Sequence, residues 1–77
     1  MDEREFLWKA MVEAVGAVWV GVEYENKIAK QPVVLFKAAA DELTLTLYAS
    51  ALRSVADVEM AVKNYLESKR LVRVVGM

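Results

Sequence analysis

Ser50, Arg53 and Ser54 form the densest group of side chains here suited to holding a ligand. They precede a predicted helix, where free N–H groups and the positive end of the helix dipole favour an anion. Ser54 also suits the simpler task of capping that helix. Asp41 and Glu42 are an adjacent carboxylate pair, but they fall where the chain must turn. The sequence contains no His and no Cys. The commonest general base, the best nucleophile and the usual nitrogen and sulfur ligands of transition metals are therefore missing. Gly16, Gly21 and Gly76 are scattered, so no phosphate-cradling loop forms. We expect no enzyme activity, no cofactor and no specific transition metal; an enzyme relying on carboxylates alone is the remaining catalytic option.

A second group has aromatic and basic members. Trp19, Lys37, Tyr48 and Arg73 are expected on one exposed sheet face, where aromatics beside cations can stack single-stranded bases. Trp and Tyr are equally common anchors of protein interfaces. The net charge is −1 and no basic cluster is present, so a protein partner is the stronger expectation.

Composition points the same way. Hydrophobic residues make up 57% of the 77, against about 45–50% in ordinary soluble domains. A single domain of this size (residues 1–77) leaves much of its surface in water. Disulfides cannot compensate. The longest uncharged runs, Ala14 to Val22 and Leu43 to Leu52, are short of the roughly 20 residues a membrane helix needs. The acidic start Asp2-Glu3-Arg4-Glu5 lacks the basic opening of a signal peptide, so a cytoplasmic location without membrane contact is expected. The scarcity of amides, with no Cys, fits a thermophilic source. Residues 1–26 hold six acids and two bases, whereas residues 27–77 hold eight bases and five acids. One copy's acidic end can thus approach another's basic half.

Six elements must position these groups. A first helix is predicted over Glu3 to Val15, capped by Asp2 and stopped by Gly16. Its Glu5, Lys9 and Glu13 make one narrow polar stripe, and almost every other residue beyond the first turn is apolar. Strands are predicted at Ala17 to Tyr24, Val33 to Ala38, Leu43 to Ala49 and Leu71 to Val75. A second, ordinary amphipathic helix is predicted over Val55 to Lys69, opened by Ser54 and Asp57 as a short-armed capping box. Ala38-Ala39-Ala40 favours helix, which leaves Lys37 to Glu42 open between a hairpin turn and a helical turn.

The resulting fold class is α+β in the order α-β-β-β-α-β. Its four-stranded, mainly antiparallel sheet has two helices on one face and a last strand that returns parallel through a crossover. Alternation places Val18, Val20, Val22, Val34 and Phe36 toward the helices with Leu45 and Leu47. Trp19, Val33, Leu35, Lys37 and Tyr48 then lie on the open face.

The order helix, three antiparallel strands, helix resembles the double-stranded-RNA-binding domain. That family holds phosphates with lysines at the start of its second helix. Here the stretch reads Ser54-Val55-Ala56-Asp57-Val58-Glu59, and a fourth strand is appended, so the resemblance covers topology alone.

A non-enzymatic interaction module that self-associates as a dimer is the leading expectation, with Trp8, Val12, Trp19, Leu35 and Tyr48 as interface residues. A nucleic-acid-binding accessory protein using Trp19, Lys37, Tyr48 and Arg73 is the alternative. No small-molecule ligand is indicated.

Overall fold

The computed structural model describes residues 2–75, and side chains for residues 2–70. Helix α1 runs Glu3–Ala14. The Asp2 carboxylate caps it, accepting from the Arg4 backbone N–H at 2.9 Å. The same carboxylate accepts from the Arg4 guanidinium, and these bonds hold it below the usual carboxylate range. Gly16 ends the helix at φ +78°, a left-handed conformation in which a Cβ would be strained.

Three strands follow: β1 (Val18–Glu23), β2 (Val33–Lys37) and β3 (Thr44–Tyr48). They form an antiparallel sheet in the order β1-β2-β3 with β2 central. The β1–β2 loop is built on Asn26, whose side-chain oxygen accepts from the N–H groups of Ile28 and Ala29. Residues 38–43 form a turn closed by Glu42 N–H donating to the Ala39 carbonyl at 3.0 Å. Despite its alanines, the segment is a hairpin turn, because pairing β2 with β3 leaves no room for a second helical turn.

A short 3-10 turn (Ala49–Ala51) leads into helix α2, Val55–Val75. Asp57 reaches back to the helix start, accepting from the N–H groups of Arg53 and Ser54 at 2.9 Å each. Those two bonds lower its pKa from 3.8.

The expected fourth strand is corrected here. Residues Leu71 to Val75 continue α2, and the sheet has three strands among the described residues. No Gly, Asn or Pro lies between Ser68 and Leu71 to stop the helix. Propagating a formed helix adds one hydrogen bond per residue fixed. The valines oppose it by only a few tenths of a kcal/mol each.

Both helices pack with one face of the sheet. Trp8 and Val12 of α1, Ala17, Val34 and Phe36 of the sheet, Leu52, and Val58 of α2 make the buried cluster. Met11, Val15, Trp19, Val22, Leu45, Leu47, Ala49, Ala61 and Val62 pack around it, half-buried. Leu66, further along α2, is exposed.

One register shift decides which face β1 presents. Trp19 pairs with Phe36 and Gly21 with Leu35, so Val20 is an extra residue opposite no partner. Such a bulge reverses the alternation on its far side. Trp19 and Val22, three apart, therefore share the helix-facing side, while Val18 and Val20 are exposed. The expectation that Val18 and Val20 face the helices, and Trp19 the solvent, is overturned by this single inserted residue.

Candidate functional site

The open face of the sheet is assembled from all three strands. Row by row across the register, it carries Val18, Lys37 and Thr44; then Gly21, Leu35 and Thr46; then Glu23, Val33 and Tyr48. Val20 adds to it from the bulge. Leu35 and Lys37 are half-buried, Val33 is buried, and Val18, Val20, Thr44, Thr46 and Tyr48 are exposed. Of the expected site residues, this face brings together Leu35, Lys37 and Tyr48.

The others are placed elsewhere. Trp8 is 5% exposed and Val12 fully buried, so neither is a surface residue. Helix α1 is apolar on more than one face, and periodicity alone does not say which of them turns inward. The structure turns Trp8 inward, with the Arg4 guanidinium 5.1 Å from its ring centroid. The face left outside carries Phe6, Leu7, Ala10 and Ala14. Trp19 is half-buried against the core and lines a small groove with Glu5, Phe6 and Lys9. The side chain of Arg73 lies outside the described residues.

The edges of the sheet differ. The Ala49 N–H donates to the Pro32 carbonyl at 2.9 Å, which makes 49 and 32 a hydrogen-bonded pair. In an antiparallel ladder such pairs alternate, so Leu45 and Leu47 direct their backbone groups at Phe36 and Val34. Thr44, Thr46 and Tyr48 direct theirs outward, along a strand edge that no other strand of the described residues covers. Among the described residues only the Tyr48 carbonyl is engaged there, by the N–H of Leu52 at 3.1 Å. Edge strands in stable monomers are usually blunted by a charge, a proline or a bulge. β1 has its bulge and ends on Glu23; Leu43 to Ala49 has none of these devices.

A polar cluster that sequence reasoning missed joins the β2–β3 turn to α2. The Glu42 carboxylate accepts from the Tyr65 hydroxyl at 2.5 Å and pairs with the Lys69 ammonium. Together with Leu43 and Ser68 these residues line a groove of about 380 Å³. Tyr65 is raised above 10.0, first by its bond to Glu42 and then by desolvation. The four-residue spacing of Tyr65 and Lys69 puts them on one helix face; only the hairpin turn brings Glu42 to them. With its carboxylate engaged by a phenol and an ammonium, Glu42 ties the β2–β3 turn to α2 as a brace.

The other polar candidates are occupied locally. The Arg53 and Ser54 N–H groups that an anion would use are satisfied by Asp57, whose carboxylate also lies 3.7 Å from the Arg53 guanidinium. Asp41 is exposed in the turn. Among the described residues no helix is long and apolar enough to cross a membrane.

Comparison with family models, curated proteins and solved structures returns no match. Among the described residues the element order is helix, three strands, a short 3-10 turn and helix, and the start of α2 presents the Asp57 carboxylate.

Proposed function

We propose that the chain is a small, non-enzymatic interaction module that self-associates, with a homodimer as the working unit. The observation that carries this reading is the balance of its apolar side chains. Among the described residues eight apolar side chains are buried and ten large ones are exposed. The exposed ones include Phe6, Leu7, Ile28, Leu43, Tyr48 and Met60. Singly exposed apolar residues are ordinary; here Phe6 and Leu7 adjoin on α1 and Val18, Val20 and Tyr48 share the open sheet face, the kind of grouping that an interaction surface needs. Two-fold pairing of identical chains is the commonest arrangement that buries such surface.

The nucleic-acid reading loses its main stacking residue, since Trp19 faces the helices. Tyr48 and Lys37 remain on the open face without a basic cluster around them. Sedimentation at tens of micromolar tests the proposal. A species of twice the 8.6 kDa chain mass is expected, and a stable monomer would refute it.

A further inference from the structure

We infer that, given self-association, two copies join edge to edge through β3, forming one six-stranded antiparallel sheet with a two-fold axis at Thr46. The backbone groups of Thr44 and Thr46 and the N–H of Tyr48 already point outward at two-residue spacing. Placing Thr46 opposite its own copy sets Thr44 opposite the partner's Tyr48. Those are the residues whose free groups an antiparallel partner must meet.

The side chains agree with that register. Directly opposed residues lie on the same face, so Leu45 meets the partner's Leu47 on the helix side, and the flanking Leu43 comes beside the partner's Ala49, the first residue of its 3-10 turn. Leu45, Leu47 and Ala49 already border the core. Leu43, 72% exposed in the single chain, thereby joins a continuous apolar row across both copies. The open face meets across the axis as Thr44 beside the partner's Tyr48, and no charged side chain falls within Leu43 to Ala49. A heterologous peptide would need its own matching sequence. The second copy supplies this match by symmetry, and β1 is blocked from the same role by its bulge.

The test uses the axis itself. A residue at position 46 meets its own copy across a hydrogen-bonded pair, with Cα atoms about 5.5 Å apart. Thr46→Lys and Thr46→Glu therefore each juxtapose like charges, while a mixture of the two juxtaposes opposite ones. Position 46 is exposed in the single chain, so both variants fold, as far-UV circular dichroism will verify. The expected result is a wild-type dimer, two monomeric variants, and a dimer restored on mixing them. Variants that remain dimeric alone would overturn the β3 edge and leave the self-association reading intact. A monomeric wild type would overturn both.

Discussion

Replacing Phe36 with Ala probes the fold at its most constrained point. Phe36 sits on the central strand, is 0% exposed, and lies between Trp19 and Leu45 on the helix-facing side. Emptying a fully buried phenylalanine site typically costs about 3–5 kcal/mol, the transfer of the ring plus the cavity left behind. At about 0.05–0.15 kcal/mol per residue, 77 residues hold about 4–12 kcal/mol in total. The substitution therefore removes a large part of the stability, and in a domain of this size lowers the thermal midpoint by about 12–40 °C. Leu35→Ala is the internal control. Its residue is next in the strand but half-buried on the other face, and it should cost less than about 2 kcal/mol. Urea and thermal unfolding of both variants, at two protein concentrations to separate any contribution from association, give the comparison. A loss below about 1 kcal/mol for Phe36→Ala, or a larger one for Leu35→Ala, would show that the faces of β2 are reversed.

Two glycines and one tyrosine supply further checks. Gly16→Ala should destabilise by about 1 kcal/mol because φ is +78°. Gly21→Ala, at an ordinary φ with nothing within 4 Å of the new methyl group, should be neutral or stabilising by up to about 1 kcal/mol. Equal effects in chemical denaturation would contradict the assigned backbone. Tyr65 has a folded pKa above its ordinary 10.0, so its contribution is fully present below pH 10 and is lost as pH rises through the raised value. The thermal midpoint of Tyr65→Phe should consequently fall less than that of the wild type across that range; parallel curves would mean that the bond to Glu42 contributes nothing.

Local chemistry makes much of this protein legible in its sequence alone. Asp2 and Gly16 bracket α1 because capping and left-handed turns depend on neighbouring residues only. The alternating Leu43 to Ala49 declares its period and the inward Leu45 and Leu47, whereas Leu43 at its start is exposed. Ser54 and Asp57 mark the start of α2, and the absence of His and Cys bounds the available chemistry. What stays hidden turns on contacts between elements. The valines at the far end of α2 suit a strand, but a strand needs a partner edge and a turn to reach it, whereas a helix needs only its own preceding turn. α1 offers two apolar faces, and which one turns inward depends on what the sheet can receive; that choice puts Trp8 and Val12 in the core and leaves Phe6 and Leu7 outside. Glu42 becomes part of a brace only when the hairpin carries it to Tyr65 and Lys69. The bulge at Val20 is the smallest of these decisions and moves the most: one residue inserted against β2 exchanges the faces of Trp19 and its neighbouring valines. Period-two reasoning assumes an unbroken register, and register is a property of two strands together.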